Sequence, residues 1–312
     1  MRAALWLPCV FALAGASVSA QQAPAAADLP AAYRGGAIEH ALTSRDWAQA
    51  EQQLATTIER TPDSPALLEV LGSVFLIDRK PLNAAIAFKK ADAIRPLPTR
   101  ARYGLVLAYI SLHRGDWARP ELERLAAAEP GAATYRYWLG RLDYDAGQYN
   151  AAIDRFRQTL ERDPAFVRAY DNLGLTYEAL NQQDQALTYY RKAIALNRRA
   201  ASRSPWPALN LGILLRNLGQ ATEAEALLRE AVGYDAALPQ AHYQLGMLLE
   251  QENRLDDAVA ALTRAGSLDA DYAEPHYALA RIYRRLGRSE EAGAALARFQ
   301  RLHDAHREAP QP

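Results

Sequence analysis

The sequence predicts an all-α protein built as a solenoid of antiparallel helix pairs, and three observations predict it. One apolar pattern returns every 34 residues, as in 133–166 and 167–200. Inside each repeat the apolar positions keep helical spacing in two separate runs. Glycine and proline fall between the runs and between the repeats. One hairpin of this kind cannot bury its own apolar face, so consecutive hairpins must stack.

Taken from the start, Met1 and Arg2 are followed by an apolar run from Ala3 to Ala14 and small residues from Gly15 to Ala20. This reads as a secretory signal peptide covering 1–20, cleaved after Ala20. The run is too short to span a bilayer, which takes about 20 residues, and no second candidate span follows in the mature chain. Cys9, the only cysteine, lies inside this segment with Pro8 before it, so no lipid anchor is expected. The mature chain then holds no disulfide and no thiolate metal site, which suits an oxidising exported compartment.

Residues 21–30 are mostly Ala, Pro and Gln without an apolar period and are expected to form a flexible leader. The repeat frame then covers 31–306, in units 31–64, 65–98, 99–132, 133–166, 167–200, 205–238, 239–272 and 273–306, and leaves a tail at 307–312. Residues 201–204 interrupt it, a place for a bend between a five-unit and a three-unit arm. In 99–132, Gly115 and Pro130 stand two residues closer than their counterparts, which predicts a longer first helix or a shorter second one.

The spacing has a physical cause. First helices carry Leu followed by a small residue, as at Leu71-Gly72, Leu139-Gly140, Leu245-Gly246 and Leu279-Ala280. With little side chain there, the second helix can approach closely. Twelve positions later comes another small residue (Ala84, Ala152, Ala186, Ala224, Ala258, Ala292), and then a bulky one: Phe88, Phe156, Tyr190, Leu228, Leu262 or Leu296. Small residues set the crossing and the bulky one fills the gap. Gly115, Gly147, Gly219 and Gly287 mark turns inside the pairs, and Pro62, Pro96, Pro130 and Pro164 separate pairs. Unit 31–64 keeps Trp47, Ala50, Leu54 and Pro62 but has Ile38 in the small slot, as an imperfect cap would.

With Tyr170, Leu173, Gly174, Tyr177, Ala186, Tyr190 and Ala193 in 167–200, the pattern resembles the tetratricopeptide repeat. The resemblance implies a right-handed superhelical solenoid whose first helices line a concave groove. Carried over, that groove is lined by Tyr103, Tyr137, Trp138, Arg141 and Tyr144 in the first arm. Across the middle and second arm it is lined by Asn172, Trp206, Asn210, Arg216, Tyr243, Gln244, Tyr277, Arg281 and Arg284. Rings with amide and guanidinium donors among them suit an extended peptide or an inserted helix. Trp138 could equally fill a seam between units. Asn172 and Asn210 stand where relatives that clamp a terminal carboxylate have asparagines, but Asp171 and the scarcity of lysine depart from that set.

Charge and motifs narrow the function. The 36 basic and 36 acidic residues balance, which argues against nucleic acid as partner. There is no His-Glu-x-x-His, phosphate loop or Gly-x-Ser-x-Gly, so no reaction and no cofactor are expected. His242 and His276 recur at the position of Tyr170 and read as packing residues; His303 and His306 lack a third ligand. The expectation is a non-catalytic periplasmic scaffold or adaptor in a Gram-negative cell envelope, binding protein or peptide in its groove. The alternatives are an accessory factor of polysaccharide synthesis or export, with a glycan in the groove, and a self-assembling scaffold.

Overall fold

The computed structural model describes residues 23–308, so the signal-peptide segment lies outside the described residues. Sixteen α-helices and two short 3-10 turns are present among the described residues, with no strand. The chain divides into two compact units, the first ending at Ala146 and the second starting at Gly147. The division falls within the fourth repeat, away from the insertion at 201–204.

The first unit holds α1 (Ala37–Thr43), α2 (Trp47–Arg60), α3 (Pro65–Ile77), α4 (Pro81–Ile94), α5 (Thr99–Ser111), α6 (Gly115–Ala128) and α7 (Ala133–Asp145). Each helix packs on the next, and the first helices α3 and α5 also touch. Ahead of them, residues 23–30 of the expected leader lie against the unit. Turns at Ala26–Asp28 and Ala31–Tyr33 bring Leu29 into the core, at 1% exposure, beside Ile38, Leu54, Leu67 and Val70. One leucine among alanines and prolines suffices, because it enters a core that the first hairpin alone leaves open.

The second unit holds α8 (Tyr149–Arg162), α9 (Val167–Ala179), α10 (Gln183–Asn197), α11 (Trp206–Asn217), α12 (Ala221–Tyr234), α13 (Pro239–Gln251), α14 (Leu255–Leu268), α15 (Glu274–Arg285) and α16 (Ser289–Glu308). Successive helices pack here too, and α9, α11, α13 and α15 lie in contact side by side.

Helix approach follows the small-residue slot. A Cβ built on Gly72 would come 2.8 Å from Phe88, on Gly212 2.9 Å from Leu228 and on Gly246 2.6 Å from Leu262. On Gly174 it would overlap the ring of Tyr190. The bulky side chain of each second helix therefore rests on the glycine itself. Ala50, Ala84, Ala118, Ala152, Ala186, Ala224 and Ala258 are fully buried at the matching second-helix slot.

Turns inside the pairs share one backbone conformation. Arg45, Arg79, His113, Gly147, Asn181, Gly219, Asn253 and Gly287 all have φ between 56° and 76°. They recur every 34 residues, with one step lengthened by the insertion. The turn of 99–132 is thus at His113 and not at Gly115, which starts α6. α5 and α6 have 13 and 14 residues, the lengths of α3 and α4, so neither helix is altered there. The apparent shortening came from assigning the turn to the nearest glycine.

Between pairs, Asp163 and Asp235 accept from the backbone N–H two residues on, both at 2.9 Å, and Asp269 does the same at 3.0 Å. Asn197 occupies the equivalent position before the insertion. Its Nδ2 donates to the Ser204 carbonyl and its Oδ1 accepts from the Ser204 N–H, both at 2.8 Å. The four extra residues are looped out over a buried amide, and α10 still packs on α11.

Candidate protein-binding face

The first helices carry all the candidate residues, and the structure sorts them into two groups. In the first unit Tyr137 and Trp138 are buried, at 1% and 6% exposure. Their rings meet edge to face at 5.4 Å, and Trp138 Nε1 donates to Tyr103 Oη at 2.8 Å. Arg141 is buried as well, donating to Asp145 at 3.1 Å with its guanidinium over Tyr144. Burial pushes the Asp145 carboxyl up, and Arg141 and His113 draw it partly back. Tyr137, Trp138 and Arg141 are therefore core and not groove lining, while Tyr103 and Tyr144 stay half-buried.

Three second-unit candidates are likewise internal. Asn172 turns its amide onto the Arg168 carbonyl of its own helix, at 2.8 Å. Asn210 donates to both carboxylate oxygens of Asp171 at 3.1 Å, and all three residues are buried. The asparagines thus face structural acceptors, which explains why Asp171 stands beside Asn172. Trp206, at 4% exposure, is packed away at the start of α11.

The remaining candidates come together on α11, α13 and α15. Arg216 Nη1 donates to the oxygen of the buried Gln244 at 2.5 Å, and its Nη2 reaches Asn217 at 3.2 Å. Among the described residues its Nε is buried without an acceptor, and no carboxylate pairs with it. Burial lowers its pKa, opposed by Tyr243. Tyr243 packs on Tyr272 with ring centres 5.4 Å apart. Burial, with Glu274 and Glu250, pushes its hydroxyl up against the pull of Arg216 and Arg281. It stays protonated and able to donate.

One turn along, Arg281 is bound by Glu250, a carboxylate at 8% exposure that Arg285 also approaches at 3.6 Å. Tyr277 is 46% exposed with its ring against Phe299, and Arg284 is exposed too. The face therefore offers an open ring at Tyr277, a half-buried donor ring at Tyr243 and an under-used guanidinium at Arg216. That set can hold a carbonyl or carboxylate oxygen against an apolar surface.

Sequence reasoning missed Glu250 and Tyr272 and saw Asp171 only as a departure from the clamp set, since their roles depend on neighbours about 30 to 40 residues away. It also missed Leu82, Ile86 and Ile94 on α4 and Trp117 on α6, which are exposed. His242 Nε2 lies 3.0 Å from the Ala236 carbonyl, and the His276 ring fills the space beside Gly266. Both act in packing. Among the described residues no cluster of three His, Cys, Asp or Glu could hold a metal ion, and no helix is long and apolar enough to cross a membrane.

Tetratricopeptide repeat models match residues 36–98 and 209–273, 167–199 and 249–309, and a TPR repeat model matches 140–181. The chain belongs to the tetratricopeptide repeat family. No curated protein matches the sequence. Among solved structures it is similar to a chain of the APC/C hetero-tetramer Cut9–Hcn1, at 16% identity over 76% of this chain with a TM-score of 0.63. It spans about half of that chain, 48%. It is also similar to a tetratricopeptide repeat protein from Parabacteroides merdae, at 17% identity over 78% of this chain and 94% of that one, with a TM-score of 0.66. PilW, a widely conserved type IV pilus biogenesis factor, aligns at 21% identity over 65% of this chain and 92% of its own, with a TM-score of 0.57. At these identities the likeness is one of fold. The fold is that of a protein–protein interaction scaffold.

Proposed function

We propose that this protein is a non-catalytic scaffold or adaptor of the periplasm, exported by the signal peptide at 1–20, that binds an extended segment of a partner protein. Binding takes place on the face of α11, α13 and α15. The observation that carries this is Arg216: a half-buried cation that no carboxylate pairs with among the described residues. A partner's carboxylate would supply that pairing at the accessible part of the guanidinium, and Tyr243 and Tyr277 would supply flat area beside it at small entropic expense.

The glycan alternative drew on amides spaced among exposed rings. Asn172, Asn210 and Gln244 are buried and engaged, so that reading loses its support. A random peptide library displayed on phage and selected on the full chain tests the proposal. Selected peptides should share an aspartate or glutamate near an apolar residue and lose at least tenfold in affinity on Arg216→Met. Selection of no peptide, or of peptides indifferent to Arg216, would contradict it. Fractionation of cells carrying a tagged chain tests the compartment: release with the periplasmic contents supports export, and retention in the cytoplasm refutes it.

A further inference from the structure

The leader is bound to the first unit as a ligand is bound. Arg100, at the start of α5, donates through Nη1 to both carboxylate oxygens of Asp28 at 2.8 Å and through Nη2 to the Ala23 carbonyl at 2.6 Å. One guanidinium thus reads a side-chain carboxylate and a backbone carbonyl of the same segment. Asp28 is set for this by accepting from the Ala25 N–H at 2.6 Å. Arg34 fixes the other side of the turn by donating to the carbonyls of Leu29 and Ala27, both at 3.1 Å.

The fit is incomplete. Beside the leader a half-open pocket of about 250 Å³ is lined by Pro24 and Asp28 on one side and by Val70, Ser73, Pro98, Arg100, Ala101 and Glu69, whose carboxylate is paired with Arg95, on the other. Small leader side chains leave it unfilled. A segment with the same carboxylate and a larger apolar side chain would keep the Arg100 contacts and gain buried area, about 25 cal/mol for each Å².

We propose that the α3–α5 face is a docking site for an acidic, apolar protein segment, and that residues 23–28 are its intramolecular occupant. The leader starts at millimolar effective concentration, as a short tether provides. It therefore screens the site from weak ligands and yields to a partner whose larger side chain fills the cavity. Leu29 stays in the core throughout, so displacement needs only the turn before it to move. No residue of the Arg216 face takes part, so this inference stands or falls separately from the one above.

The test uses the full chain and a fluorescent peptide of residues 23–28. Asp28→Arg opposes Arg100 with a like charge and should release the leader, raising affinity for the peptide at least tenfold over wild type. The reversed pair, Asp28→Arg with Arg100→Asp, should re-dock the leader and return binding to the wild-type level or below. A peptide with leucine in place of Pro24, which lines the pocket, should bind the Asp28→Arg chain at least threefold tighter than the native peptide. Arg216→Met should change none of these values. Equal peptide binding by wild type and Asp28→Arg, with both chains folded by circular dichroism, would overturn the proposal. So would a wild-type dimer in light scattering that becomes a monomer on Asp28→Arg, since the leader would then occupy a second copy.

Discussion

The ring of Tyr190 occupies the space where Gly174 would carry a Cβ. It is fully buried, and its hydroxyl donates at 2.9 Å to Glu178, one turn further along the facing helix. This contact between α9 and α10 is the closest form of an approach that recurs at Gly72, Gly212 and Gly246, and it makes glycine a packing requirement there.

Gly174→Ala should therefore destabilise, although alanine is the better helix former. Overpacking costs about 1–3 kcal/mol, against a propensity gain of about 1 kcal/mol. Gly293, inside α16, has nothing within 4 Å of a built Cβ. Gly293→Ala should stabilise by up to about 1 kcal/mol. Urea midpoints of the two variants should move in opposite directions, and a shared direction would refute the packing argument.

The turn residues offer a second contrast. Arg79 and His113 hold φ of 57° and 56°, a region that disfavours side chains by about 1–2 kcal/mol per residue. Arg79→Gly and His113→Gly should each raise the midpoint, less the entropy glycine adds to the unfolded chain. Gly147→Ala, at φ 72°, should lower it. Gly115→Ala should do neither through turn strain, since Gly115 lies in α6.

Glu178 predicts a pH dependence. Burial pushes its carboxyl up from the ordinary 4.5, and the Tyr190 hydroxyl draws it partly back. Between the unfolded and folded values the Glu178 carboxyl holds more proton in the folded chain, so its contribution to stability is greatest below about pH 4 and declines as pH rises through the folded value. Glu178→Gln removes that decline. The variant should melt higher than wild type at pH 7, with the gap closing by pH 4; a gap of constant size would show that charge burial is not its cause.

Arg216 separates stability from function. Replacing a half-buried cation with methionine removes a desolvation cost but leaves the buried Gln244 oxygen without its donor, so the two offset and Arg216→Met should melt close to the wild-type temperature. Partner binding should weaken at least tenfold, which is about 1.4 kcal/mol. A variant that melts much lower would make Arg216 a structural residue.

Much of this architecture was legible in the sequence, because a close helix approach restricts one position per helix to small residues. Gly72, Gly174, Gly212 and Gly246 sit where that argument puts them. The turn of 99–132 was not legible: positive φ is tolerated by His113 when the surrounding pair imposes it, and the nearby Gly115 misdirected the assignment. The face was harder still. A first helix touches its own second helix and neighbours on both sides, so α5 buries Gly104 through Ile110 and α11 buries Trp206 through Gly212 without interruption. Once burial runs round the helix, periodicity no longer separates seam from open face. Tyr137 and Tyr277 therefore look alike in sequence, and only their neighbours distinguish them.

The most direct test of the account places a photo-crosslinking residue at Tyr277 and, separately, at Trp117, an exposed ring on a second helix. Each chain is expressed in its native cells and irradiated. The account predicts a discrete protein adduct from position 277 that Arg216→Met abolishes, with none from position 117. Adducts from both positions alike, or an adduct from 277 that survives Arg216→Met, would contradict it.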